Sequence, residues 1–322
     1  MYIGIDISKE TLDFCFKEGS QKKFLHIANK PSEIKKAFKP YKDKEVIVCI
    51  ENTGKYNYHL YQVLKHLPFE TYVCNPQQIK YSMGFVRGKN DKVDAERICN
   101  YIIKNHSEER PWKPASEALD DLKVLMSERR SLITNRKRIK AQIKELSIIK
   151  SSKTKKVIRL KIADIKYLNK RISQIEEMIR EVIKEDQELS DNFKRLTSIP
   201  GVGEITAWYF IIKTNGFTRL TNPRKLGSYA GVVPYQYNSG TSVVSKARVS
   251  KKADKELKTV LQMAAMRAIR LENNDFEKYY KRKLGEGKNP MSVLNAIRNK
   301  IIHVALALIN NKTFYQNRLV LS

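Results

Sequence analysis

From Ala115 to Asp191 the chain runs without a single glycine or proline, and no other feature narrows the possible folds as much. Those two residues are what let a backbone reverse or break a helix. A long charged stretch without them is expected to be helical. Within it Ile158, Ile165, Leu168, Ile172, Ile175, Ile179 and Val182 follow the alternating steps of an a/d heptad seam, interrupted only by Lys161 between the first two. A weaker seam runs through Leu122, Leu125, Leu132, Ile139, Ile143 and Leu146, with Arg129 and Arg136 at seam positions. "KSSKTKK" separates the halves and reads as a turn. The expectation for 115–191 is an antiparallel coiled-coil hairpin that pairs with a second copy of itself, and the alternative is a hairpin packed only on its own chain.

The flanking regions have different periods. Before "RPWKPAS", whose two prolines mark a boundary, short β-branched and aromatic runs come first: "YIGIDI", "TLDFCFK" and "KKFLHIA". They are followed by helix-like "PSEIKKAFKPY", then "EVIVCIE", "YNYHLYQVLKHL" and "ETYVCN". Three strands able to form a meander, then alternating strand and helix, predict a mixed sheet covered by helices over 1–110. The third region, 192–322, is mainly helical and opens with "LTSIPGVGEITAWYF". Ile199-Pro200-Gly201-Val202-Gly203 ahead of a helix fits a helix-hairpin-helix turn. The amides of Gly201, Val202 and Gly203 could then approach a phosphate without reading a base. An ordinary glycine turn between helices is the alternative.

Lys and Arg number 62 against 34 Asp and Glu in 322 residues, a formal net charge of +28 spread along the whole length. Such a field favours a polyanionic partner, nucleic acid ahead of an anionic membrane. With 41% hydrophobic residues the chain can build real cores and is not a basic tail. Cys15, Cys49, Cys74 and Cys99 form no CxxC pair and lie far from zinc-ligand spacing, which suits buried thiols in a reducing compartment. A strand-like start and a longest apolar run, "IIHVALALI", that is short for a bilayer lead to the expectation of a cytoplasmic protein with no membrane partner.

The acids are more specific than the charge balance. In "RGKNDKVDAERI", Asp91 and Asp94 stand three residues apart behind a basic run. Asn90 or Asp91 could cap a helix there, and the i, i+3 spacing equally puts both carboxylates on one face, where a hard cation would bind. Asp6 lies inside the apolar strand "YIGIDI", so it either emerges at the strand end or is buried at a cost. Glu51 ends "EVIVCIE". Four carboxylates from two strands and a helix of one domain would repel one another unless divalent cations sat among them, and a pair of such ions suits phosphodiester chemistry.

"GIDISKETLDF", "IENTG" and "RGKNDKVDAERI", in that order, resemble the N-terminal catalytic domain of the DEDD insertion-sequence transposases, whose fold is similar to RuvC and RNase H. "LTSIPGVGEITA" and "RKLGSYAGVVPYQYNSGTS" resemble the C-terminal transposase domain of the same family of bridge-RNA-guided serine recombinases. The resemblance implies an acidic tetrad at Asp6, Glu51, Asp91 and Asp94 holding Mg²⁺ or Mn²⁺, and a nucleophilic Ser239 in "YNSGTS". On local grounds Asn-Ser-Gly reads only as a turn.

It also implies donor and target DNA as substrates, a structured guide RNA, a composite site and a homodimer or homotetramer. Arg87 and Lys89, in the basic run, join Gly201, Val202 and Gly203 as expected nucleic-acid contacts. The chain departs from commoner family members at Ala253-Asp254, where a glycine-bearing turn is usual. The alternatives are a metal-dependent RuvC-like nuclease or junction resolvase with Ser239 as a turn residue, and a non-enzymatic nucleic-acid-binding scaffold.

Overall fold

In a computed structural model the described residues are 1–52, 54–82, 90–109, 111–235, 238–239, 243–244, 249 and 253–317. The chain divides into two compact units, Met1–Pro114 and Ala115–Ser322.

The first unit is a mixed α/β layer structure built on five strands, consistent with the RNase H-like arrangement expected for it. Strands β1 (Tyr2–Ile7), β2 (Thr11–Glu18) and β3 (Gln21–Ala28) form the antiparallel meander; β4 (Ile47–Glu51) and β5 (Glu70–Cys74) add in parallel, giving the order β3-β2-β1-β4-β5. Alternation along the strands separates two faces. Ile3, Ile5, Ile7, Leu12, Phe14, Phe16, Val48 and Ile50 pack against α1 (Pro31–Phe38) and α2 (Tyr58–Leu64) through Ile34, Phe38, Leu60 and Leu64. Each such fully buried side chain contributes roughly 1.5–3 kcal/mol of transfer free energy.

The other face is made of small residues, and helix α4 (Asp91–Asn105) lies on it, flanked by α3 (Pro76–Ser82). Gly4 pairs with Cys15 on one side and Cys49 on the other, so a row of small groups crosses the three central strands. A Cβ on Gly4 would collide with Ala95 O and Cys99 N and stand 2.6 Å from the Cys99 Cβ. The helix therefore rests directly on the sheet backbone at this point. All four cysteines are free and buried here, with the Cys49 and Cys74 sulfurs 3.6 Å apart. Gly4→Ala should lower the stability of the protein by roughly 1–3 kcal/mol or more, because backbone rather than a flexible side chain must move. An unchanged urea midpoint would show that α4 is not seated as described.

In the second unit α5 (Glu117–Leu146) and α6 (Ser152–Glu185) form an antiparallel hairpin, their first turns capped by Ser116 and Ser151. From Leu168 to Val182 the heptad seam packs within the chain. Ile172, Ile175 and Ile179 are buried with Leu122, Met126 and Leu132 of α5 in a single core, and the seam residues Ile158, Ile165, Leu168 and Val182 are half-buried. Each polar interruption finds a partner across the hairpin. Arg129 Nε donates to Glu176 Oε1 at 2.8 Å, Arg136 Nη1 to Asn169 Oδ1 at 2.7 Å, and Lys161 Nζ to Gln142 Oε1 at 2.8 Å.

The base of this hairpin shares its core with the remaining helices: α7 (Gln187–Thr197), α8 (Glu204–Lys213), α9 (Pro223–Tyr229), α10 (Lys255–Ala268), α11 (Asp275–Gly285) and α12 (Pro290–Asn311). Trp208 is central, with the guanidinium carbons of Arg129 and Arg180 each 5.9 Å from its ring. Helix α12 extends well beyond "IIHVALALI", and among the described helices it alone is long and apolar enough to cross a bilayer; half of its most apolar window is buried in the core of the unit. Its Val293, Ile297, Ile301, Ala305 and Leu308 face that core.

Removing Glu176 would leave Arg129 buried without its carboxylate, so Glu176→Ala should cost roughly 2–4 kcal/mol, while Arg129→Met combined with Glu176→Leu should cost much less. Equal losses in the single and double variants, measured by chemical denaturation, would rule out a pairing role for Glu176.

Candidate active site

Strand register and the seating of α4 bring the acids to one end of the sheet. β1 and β4 run parallel, with Ile5 opposite Ile50 as their last pair. Asp6 and Glu51, one residue further, are neighbours at the carboxyl ends of the two strands. Asp6 shares the face of Gly4, the side covered by α4. The N-cap of α4 is Asn90, whose Oδ1 accepts from Lys92 N at 3.1 Å. The capping role thus belongs to Asn90, and Asp91 and Asp94 occupy the first turn. Contact at Gly4 with Ala95 and Cys99, just C-terminal to Asp94, brings that turn to the same end of the sheet. Asp94 also accepts from Arg97 Nη1 at 2.6 Å, so part of its charge is met within its own helix.

Electrostatics register this convergence. Burial pushes the Asp6 carboxyl up, the neighbouring Glu51 charge adds to it, and Asp94 and Asp91 add less; the amide of Ile7, donating to Oδ1 at 3.0 Å, works the other way. The result is a carboxyl pushed up to about 6. Asp6 and the three carboxylates that act on it offer hard oxygen donors, which fit Mg²⁺ or Mn²⁺ by chemistry. Among the described residues no three His, Cys, Asp or Glu side chains stand close enough to hold one ion. The tetrad shares a field here and does not form a finished coordination shell.

One acidic position was missed by sequence reasoning. Asp13 of β2 lies directly opposite Asp6 and is buried, and its Oδ1 is 2.8 Å from Nδ1 of His26, its register partner on β3. Glu51, Asp6, Asp13 and His26 therefore form one row across four strands. The signal was available in "TLDFCFK": Leu12, Phe14 and Phe16 alternate with Asp13, Cys15 and Lys17, and a tight turn to β1 sets Asp13 opposite Asp6.

In the second unit Ser239 closes the short strand β6 (Asn238–Ser239), which pairs with β7 (Val243–Val244), Ser239 opposite Val243. Its backbone belongs to a strand, and the Gly240 that completes the tripeptide lies outside the described residues. Asp254 fixes the start of α10. It caps α10 through Glu256 N and Leu257 N at 3.1 and 2.8 Å, pairs with Lys213 at 2.7 Å, and accepts from the Tyr229 hydroxyl at 3.0 Å. Burial acts to raise its carboxyl, but these partners together hold it below the ordinary carboxylate range. An aspartate cap therefore does the work of a glycine-bearing turn.

Gly201, Val202 and Gly203 form the turn between α7 and α8. Gly201 has φ of +85°, and a side chain there would meet Ala264 O and stand 2.7 Å from Ala268 N, so its immediate role is close packing on α10. Val202 N donates to Ile199 O at 3.0 Å. Gly203 is the N-cap of α8 and lacks a side-chain cap, while Glu204 in the first turn is held by both Nε and Nη2 of Arg180. Arg87 and Lys89 lie outside the described residues.

Residues 3–146 match the profile of the DEDD transposase domain of IS110 elements, and residues 193–281 match that of the IS116/IS110/IS902 transposase family. The chain belongs to the IS110 family of transposases. Among its relatives, a pilin gene-inverting protein of Moraxella bovis is 28% identical over 99% of this chain and 98% of its own length. A transposase for insertion sequence element IS1111A of Coxiella burnetii is 24% identical over 84% of this chain and 79% of its own. This IS110-family member is a DNA transposase or recombinase enzyme, and its DEDD domain suggests dependence on a divalent metal.

A carboxyl raised in the folded state contributes stability that is fully present below its unfolded pKa, about 4, and lost as pH rises through about 6. Asp6→Asn does not titrate. In EDTA the variant should therefore melt higher than the wild-type transposase at pH 7, with the gap closing towards pH 4. A gap independent of pH would mean that burial and the neighbouring acids do not act on Asp6.

Proposed function

We propose that this transposase breaks and rejoins DNA through a phosphoserine-linked strand, with Asp6, Glu51, Asp91 and Asp94 as the metal-binding carboxylates and Ser239 as the nucleophile. The observation that supports it most is the effect on Asp6: besides burial, Glu51 at the neighbouring strand end and Asp94 and Asp91 in one helix turn all raise its carboxyl. The bound Mg²⁺ or Mn²⁺ would supply charge stabilisation for a phosphate under attack. The serine Oγ forms a bond to phosphorus as the bond from phosphorus to one deoxyribose oxygen breaks, and that oxygen leaves with a proton. A hydroxyl of a second strand then attacks the same phosphorus and releases Ser239. One phosphoester replaces another, so rejoining needs no energy source.

Residues 1–110 serve as the RuvC-like catalytic domain, 115–191 as the helical arm, and 192–322 as the transposase domain. A relative named for inverting a gene favours rearrangement of DNA segments over simple hydrolysis. Donor and target are chosen by pairing to a structured guide RNA, which a chain of charge +28 is suited to hold through its phosphates. The turn at Gly201, Val202 and Gly203 acts as a helix-hairpin-helix contact to a backbone phosphate. Arg87 and Lys89 add charge ahead of Asp91. Exposed Ile148, Leu160 and Tyr167 on the outer part of the hairpin support assembly into a dimer or tetramer.

Incubating the protein with its co-purifying RNA, DNA and Mg²⁺ should give a protease-sensitive protein–DNA adduct. Ser239→Ala should lose the adduct and rejoining while still binding DNA, and Asp91→Asn should lose strand cleavage with its fold intact. Cleavage by Ser239→Ala at the wild-type rate would identify water as the nucleophile and the protein as a metal-dependent nuclease.

A further inference from the structure

One buried cation of the second unit has no counter-charge. Arg298, midway along α12, keeps 8% of its surface exposed, the same as Arg129 in the hairpin. Arg129 has Glu176 at 2.8 Å. Among the described residues Arg298 has no ion pair, hydrogen bond or ring partner, and its Nε is buried and unsatisfied. Burial alone acts on the guanidinium, and it lowers its pKa without removing its charge. Residues 236–252 contain no Asp or Glu that could answer it, nor do 83–89 or 318–322. A guanidinium left in this state costs stability unless an anion meets it.

Its surroundings place the missing anion. Asn295, one turn earlier on α12, donates from Nδ2 to Val232 O at 2.8 Å and so ties the helix to the residues that follow α9 and lead to Ser239. Asn299, the next residue after Arg298, has a buried Oδ1 without a donor, 3.1 Å from where a Cβ on Gly227 of α9 would stand. Arg298, three residues after Asn295, shares the side of α12 on which Asn295 reaches the residues that follow α9. A planar fork of N–H donors matches two oxygens of a phosphodiester, and a nucleic-acid enzyme meets that anion at every nucleotide.

We propose that Arg298 is an anion site for a backbone phosphate of the substrate DNA, docked where α12 meets the end of α9 at the head of the Ser239 segment. The proposal rests on the nucleic-acid reading given above. It makes Arg298 a contact for affinity and register, separate from the acidic tetrad.

The test uses full-length protein, labelled duplex DNA and a structured RNA, with binding measured across a salt series alongside melting temperature. Arg298→Met should melt no lower than wild type, since a buried charge is lost. It should bind DNA about tenfold more weakly, with a slope of log affinity against log salt shallower by about one. Arg298→Lys should keep the slope and lose part of the affinity, because an ammonium cannot make the forked contact. Wild-type affinity and slope in Arg298→Met for both nucleic acids would overturn the site. A loss confined to RNA would overturn DNA as its source. Should Arg298→Met melt lower, the lysine variant decides: wild-type DNA affinity there overturns the proposal, and weakened affinity at wild-type slope supports it. If wild-type protein binds neither nucleic acid, the functional reading itself fails.

Discussion

The hydrogen atom that stands for a side chain at Gly4 decides where α4 lies, and most of the first unit follows from that. The helix cannot be held off the sheet by a methyl group, so its backbone at Ala95 and Cys99 rests on β1, with Cys15 and Cys49 as the small flanks of the contact. A helix seated this closely has little freedom to slide or roll. Its first turn is consequently fixed relative to the strand that carries Asp6. The share of the electrostatic cost at Asp6 that comes from Asp94 and Asp91 is thus a result of packing two residues away, and it persists because the apolar face of the same sheet, with Phe14 and Ile5 fully buried, supplies enough stability to hold it.

The second unit manages charge differently. Inside the hairpin, positive residues at seam positions are each given an acceptor on the opposite helix, so desolvation is offset locally and the pairing is specific. Around Asp254 a carboxylate gathers two amides, an ammonium and a phenol, and becomes an anchor for three helices. Arg298 stands apart from both patterns. Among the described residues the other buried ions each have a partner, and this contrast is what the proposed phosphate contact answers.

Much of this was legible in the sequence. Period-two alternation in "YIGIDI" and "TLDFCFK" described both the meander and its two faces, and a glycine-free, proline-free stretch could only be helical. Heptad spacing identified the seam but not its partner, because a stripe of isoleucines is equally complementary to a second copy and to the preceding helix. The turn falls at 147–151, earlier than "KSSKTKK", most of which is the start of α6; the opposed placement of Arg129 and Glu176, and of Gln142 and Lys161, was the clue to pairing within the chain. Asp13 and His26 were hidden because their significance depends on register, which joins residues distant in sequence. The packing role of Gly201 depends on α10, more than sixty residues away, and no local pattern carries it.

The cross-hairpin contacts have a consequence for how such an arm can change length. Thirty helical residues in α5 correspond to a reach of about 45 Å. Because the pairs Arg129–Glu176, Arg136–Asn169 and Gln142–Lys161 follow one another in step along the two helices, an insertion in one helix alone would misalign every pair beyond it. Only matched insertions, close to a whole heptad in each helix, would keep seam and partners together, and each would extend the arm by about 10 Å. The hairpin is therefore a ruler with coarse graduations, and its reach can be altered in evolution or by engineering only in steps of that size.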